Sequence, residues 1–163
     1  MKILFLIKEN YGYVNFGYGS SQPKSGLLES ARLTVSQLVD KLKVIAKIAI
    51  CIDGNSVDKE VYQFKPDICV IEALWVTPLK IKELIKLHPK VKFVIRIHSE
   101  IPFLAMEGIA IEWIKEYSKI KGISIAFNSL ITHKDFLNNG IDCIFLPNIY
   151  SDVIYSKFHC NHK

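Results

Sequence analysis

The stretch Val91-Lys92-Phe93-Val94-Ile95-Arg96-Ile97-His98-Ser99-Glu100-Ile101-Pro102-Phe103 decides the fold. Its first seven residues form an apolar run of strand length without clean polar alternation. Such a run is expected of a strand buried on both faces, hence of a parallel sheet. The run stops on three polar residues. Pro102 then opens a helix, where its missing N–H has no partner to lose. Buried strand, polar edge, helix: this is one unit of a βα chain.

Five other runs have the same character, at 2–7, 44–52, 67–71, 122–127 and 142–146, all rich in Ile and Val. Helical segments separate them. Residues 25–42 carry Leu27, Leu28, Ala31, Val35, Leu38, Val39 and Leu42 at helical spacing, with Ser25 as a candidate N-cap. A shorter helix is expected over 57–64. Thr77-Pro78 supplies an N-cap and a first-turn proline for the next, which Pro89 ends after His88. The helix opened by Pro102 is expected to run unbroken over 102–120, with Met106 and Trp113 in the core. A last helix covers 129–138 and ends at Asn139-Gly140. The order predicts an α/β fold. With right-handed crossovers it gives an open, doubly wound, mostly parallel six-stranded Rossmann-like sheet with helices on both faces.

Composition narrows the class of function. The chain has 163 residues, half of them hydrophobic and 23% charged, which excludes a disordered or fibrous protein. The net charge is +5, but 19 of the 21 basic residues are Lys and only Arg32 and Arg96 are Arg. Sequence-specific nucleic-acid readers rely on arginine forks, so no specific nucleic-acid partner is expected. The lysines read as a solvated surface, with membrane contact at most peripheral. The apolar run at 3–7 is shorter than the about 7–15 residues of a secretory core, so a cytoplasmic location is expected. Cys51, Cys69, Cys143 and Cys160 form no C-x-x-C pair, and no His, Asp or Glu pair has metal-ligand spacing, so no metal is expected.

Ligands of open α/β sheets sit beyond the carboxyl ends of the strands. The first strand is followed by a long loop containing Tyr13, Gly17, Gly19 and Ser20, where glycines let backbone amides approach a ligand and aromatic faces suit sugars. It fits neither a dinucleotide fingerprint nor a P-loop. Asp53-Gly54-Asn55 reads as a plain turn. Glu72 ends the third strand. Arg96 lies inside an apolar run, where a guanidinium needs a carboxylate or phosphate, and Glu72 and Glu100 are candidates. His98 is a candidate acid–base group, and Ser99, Asn128 and Ser129 complete the polar edge. His88 reads as a helix-end residue and His133 as a helix-surface one.

On these residues the chain resembles the N-terminal, acceptor-side domain of a GT-B glycosyltransferase of the group-1, family-4-like kind. The carriers are Met1-Lys-Ile-Leu-Phe-Leu with its glycine-containing loop, Pro66-Asp67 through Glu72, Arg96-Ile-His98-Ser99-Glu100, Asn128-Ser129, and Leu146-Pro147-Asn148-Ile149-Tyr150. The resemblance implies a domain over 1–150, with 151–163 a C-terminal tail or the start of an absent interdomain linker. It implies binding of an acceptor, and of part of a nucleotide-sugar donor as co-substrate, with no other cofactor. His98 and Glu100 would be catalytic. Tyr13, Gly17, Gly19, Ser20, Glu72, Arg96, Ser99, Asn128 and Ser129 would bind substrate. Arg96 would orient Glu100 or a phosphate. The family's second domain carries an E-x7-E pattern, and no two glutamates here have that spacing. Catalysis is therefore expected to need a second domain, a partner chain or a second copy. The rival expectations are a non-catalytic binding or assembly module, and a small standalone nucleotide- or phosphate-binding enzyme.

Overall fold

β1 (Lys2–Lys8) pairs in parallel with β2 (Ile45–Cys51) on one side and β3 (Ile68–Glu72) on the other. β4 (Lys92–Ile97), β5 (Ile123–Phe127) and β6 (Ile144–Phe145) continue outward from β3, giving the order β2-β1-β3-β4-β5-β6, parallel throughout. The structure is a computed structural model and describes residues 1–8 and 26–150. Ser25, the expected cap of the first helix, lies outside the described residues.

The helices are α1 (Gly26–Leu42), α2 (Ser56–Phe64), α3 (Pro78–Leu87), α4 (Ile101–Met106), α5 (Ala110–Tyr117) and α6 (Leu130–Asn138). The chain moves one way across the sheet from β1 to β2 and the opposite way in every later step. Right-handed crossovers then place α1 on one face and the other five helices on the other. The core divides accordingly. Val35 and Leu38 of α1 pack with Ile3, Phe5 and Val70. Leu4, Leu6, Ile71, Ile95, Ile97 and Phe127 pack beneath Val57, Ile81, Leu84, Leu104, Ile114 and Phe136. Alternate residues of each apolar run thus serve opposite layers, which is why the runs cannot alternate with polar residues.

Local chemistry sets the helix ends. Thr77 Oγ1 accepts from the Lys80 N–H at 3.1 Å, Pro78 occupies the first turn, and α3 stops at His88 before Pro89. The helix expected over 102–120 is two helices. Gly108 has φ +62°, a left-handed conformation open to glycine, and it separates α4 from α5. The break leaves Met106 exposed rather than in the core. Trp113 remains packed against the core, its ring edge-on to Tyr117. The last strand is two residues long rather than the five of 142–146, because only Ile144 and Phe145 pair with β5.

Cys51, Cys69 and Cys143 are buried free thiols. Burial pushes the Cys51 thiol from 9.0 up to about 11, and pushes Cys69 and the Tyr117 hydroxyl up as well. A raised folded-state value leaves stability intact below pH 9 and removes it as pH rises through about 11, because the unfolded chain ionises first. The urea midpoint should therefore fall between about pH 9 and pH 11, and fall less in Cys51→Ala. An equal fall in both proteins would mean that Cys51 is not the titrating group.

Candidate functional site

The β3–β4 register sets Glu72 opposite Arg96 at the carboxyl end of the sheet. Each lies two residues beyond a position on the α1 side (Val70, Val94), so both side chains share that face. Both are fully buried. Arg96 Nη1 donates to the Glu72 carboxylate at 3.2 and 3.5 Å. Its other nitrogens reach forward in sequence. Nε donates to the Leu146 carbonyl at 3.2 Å, and Nη2 to the Pro147 carbonyl and Asn148 Oδ1 at 2.9 Å each. Asn148 Oδ1 also accepts from the Ser30 hydroxyl of α1 at 2.9 Å. Arg96 therefore ties β3, β4 and the segment leaving β6 together, and Asn148 extends the tie to α1.

The second oxygen of Glu72 meets His98. His98 Nε2 lies 2.5 Å from Glu72 Oε2, and Nδ1 lies 3.3 Å from the Asn128 side-chain nitrogen. An Nε2–H donated to the carboxylate leaves Nδ1 to accept from the Asn128 amide, which satisfies all three groups. The His98 side chain is 18% exposed while its carboxylate partner is fully buried. This is the arrangement by which a carboxylate fixes an imidazole and supports positive charge on it.

His98 opens onto a cavity of about 270 Å³, lined also by Glu100, Asn128, Ser129, Pro147, Asn148 and Tyr150. Ser129 caps α6, its hydroxyl accepting from the Thr132 N–H at 3.4 Å. The lining is rich in hydroxyl, amide and carboxylate groups, which suits a ligand with many hydroxyls.

The expected site residues fall into four groups. His98, Glu100, Asn128 and Ser129 share the cavity. Glu72 and Arg96 stand behind it, and Arg96 meets Glu72 rather than Glu100 or open space, since all three of its nitrogens are held by protein atoms. Ser99 turns to Glu107, with its hydroxyl 3.4 Å from that carboxylate. Tyr13, Gly17, Gly19 and Ser20 lie outside the described residues. Asn148 and Tyr150 line the cavity and were not among the expected residues, although Pro147-Asn148 follows the sixth strand and the strand-end rule points there. Ala73 was also missed. It has φ +69° and its N–H donates to the Arg96 carbonyl at 2.8 Å, so a strained non-glycine residue turns the chain immediately after Glu72.

The remaining candidates are accounted for locally. Asp53 Oδ1 accepts from the Asn55 and Ser56 N–H groups at 2.9 and 3.0 Å, and the Ser56 bond leads in holding its carboxyl below the usual range. It is a turn residue. His88 Nε2 lies 2.7 Å from Asp58, while His133 is half-buried rather than on the surface, against the Cys143 carbonyl and Phe145. No group of three or more potential metal ligands occurs among the described residues, and none of their helices is long and apolar enough to cross a membrane. No protein-family model and no curated protein matches the sequence.

Removing one member of a buried ion pair typically costs about 3–5 kcal/mol, since the other charge is left uncompensated. Arg96→Met should therefore destabilise the domain by about that much. Glu72→Gln in the Arg96→Met background should add little, since the pair is already broken. Urea unfolding of the two single variants and the double variant checks this. Fully additive losses would mean that the two side chains do not interact.

Proposed function

We propose that this chain is a glycosyltransferase-like domain that binds a hydroxyl-bearing acceptor, and part of a nucleotide-sugar donor, in the cavity at the carboxyl edge of its sheet. The observation that carries the reading is the Glu72–His98 pair: a fully buried carboxylate held against the inner nitrogen of a partly exposed histidine on the cavity wall. His98 positions or polarises a reacting hydroxyl, and Glu72 supports the charge that gathers on the ring. Glu100 and Ser129 offer hydrogen bonds to further hydroxyls, and Asn128 holds the outer ring nitrogen until a ligand competes for it. Arg96 acts through Glu72 as a positioning residue. Transfer of a sugar then needs a donor-holding second domain or partner chain, as the resemblance of the strand-end motifs implies.

A non-catalytic binding or assembly module is the second reading. It is favoured by one observation, that both ring nitrogens of His98 already have protein partners. The two readings differ in what His98→Ala does. As a ligand-binding group, its loss should abolish the thermal shift given by nucleotide sugars, free sugars or polyprenyl-phosphate mimics, beyond the stability it costs by leaving the buried Glu72 oxygen without its partner. A ligand at 100 times its Kd adds about 2.7 kcal/mol, enough for a shift of several degrees. A variant destabilised by several kcal/mol (about 3 or more), with its ligand shift unchanged, would make His98 structural and end the proposal.

A further inference from the structure

All six strands run parallel, so every strand begins on one edge of the sheet, opposite the edge that holds the His98 cavity. Lysines collect on that starting edge. Lys43 leads into β2, Lys2 begins β1 and Lys65 leads into β3. Lys90 and Lys92 stand at the start of β4, and Lys119 and Lys121 before β5. These five strands are neighbours in the sheet, so the row spans about 20 Å at a strand spacing of ~4.8 Å. All seven lysines are exposed, and none is held in an ion pair. The chain segments of this edge carry two carboxylates, Asp67 and Asp142, against the seven lysines, which equals the net charge of the entire chain, +5. None of the seven stands inside a helix, where a last-turn cation would answer the helix dipole.

Two of them occupy positions that disfavour lysine. Lys43 and Lys65 follow α1 and α2 in the left-handed conformation, with φ +53° and +52°, where glycine or asparagine is the usual choice. At both places a strained backbone carries a cation, and strain of this kind concentrates where a protein binds something. Apolar groups stand among the charges. Leu42, Ile45 and Leu87, at the same edge, are 63%, 58% and 60% exposed.

We propose that this edge is a docking surface for an anionic lipid membrane. Lysine ammoniums suit the diffuse negative charge of lipid headgroups, to which each contributes without a fixed geometry. The exposed Leu42, Ile45 and Leu87 add apolar contact at the boundary between headgroups and acyl chains. A nucleic-acid backbone is the competing polyanion, but neither arginine of the chain stands on this edge, since Arg32 lies in α1 and Arg96 is buried. Exposed aliphatic side chains also find no partner on a phosphate backbone. With this edge on the membrane, the His98 cavity lies about 20 Å away, the length of the six residues of β4, and opens toward solution. The proposal does not depend on which ligand that cavity takes.

Cosedimentation of the full chain with vesicles tests it. Phosphatidylcholine vesicles containing about 30% phosphatidylglycerol should capture the chain, and pure phosphatidylcholine vesicles should not. Raising the salt from about 0.1 to about 0.5 M should release it. Lys43→Gly combined with Lys65→Gly should bind about tenfold more weakly or worse, while its urea midpoint stays level or rises, because glycine relieves the left-handed strain. Lys90→Gln combined with Lys92→Gln, which alters no strained position, should weaken binding by a similar factor. Lys59→Gln combined with Lys134→Gln removes the same charge from exposed positions on α2 and α6 and should bind as the wild type does. Failure to bind the anionic vesicles overturns the proposal, and so does wild-type binding by both edge variants. An equal loss in the Lys59 and Lys134 variant would make net charge alone the cause and overturn it too. Tighter binding to a nucleic-acid duplex than to the vesicles would assign the edge to that polyanion instead.

Discussion

A guanidinium and a carboxylate buried together at the end of a parallel sheet constrain everything around them. Arg96 and Glu72 sit side by side on adjacent strands with no exposed surface. Each must have every polar atom answered from within the protein, because an unpaired charge in that environment is costly. Arg96 answers by drawing in the Leu146 and Pro147 carbonyls, and Glu72 by holding His98. The pair adds little to net stability compared with an apolar substitute of the same shape. What it supplies is placement: one wall of the cavity and the orientation of the histidine on another.

The same pair shows how far a sequence can be read. The parallel sheet was legible because buried strands need apolar residues on both faces, and six such runs recur at βα spacing. Thr77-Pro78 and Pro89 marked a helix start and stop through chemistry internal to a few residues. The break at Gly108 was not legible, since an isolated glycine inside a helical pattern is usually tolerated at about 1 kcal/mol. Met106 went with it. Arg96 could be recognised as needing a carboxylate, and Glu72 was a candidate, but its bonds to residues 146–148 span about fifty positions of sequence. Only the closure of β6 against β5 brings that segment to it. Ala73 gave no signal, because alanine carries no preference for the left-handed conformation it adopts.

Topology separates the two ends of the sheet into different tasks. Parallel strands put every strand start on one edge, where the exposed lysines stand, and every strand end on the other. At the carboxyl ends of β3, β4 and β5 the polar residues gather into one linked set. A fold of this kind supports many activities, so the assignment rests on the site and not on the sheet. The site consists of a histidine with a buried carboxylate behind it, beside a cavity lined by amide, hydroxyl and carboxylate groups.

The account depends most on Glu72 fixing the His98 ring. Long-range nitrogen–proton NMR correlations on the histidine rings of the full chain read this directly, because they report which ring nitrogen carries hydrogen. The account predicts that His98 carries hydrogen on Nε2 in a single stable arrangement, and that Glu72→Ala releases it to exchange between forms. A wild-type His98 that already averages between its two neutral forms, or that carries its hydrogen on Nδ1 alone, would contradict it.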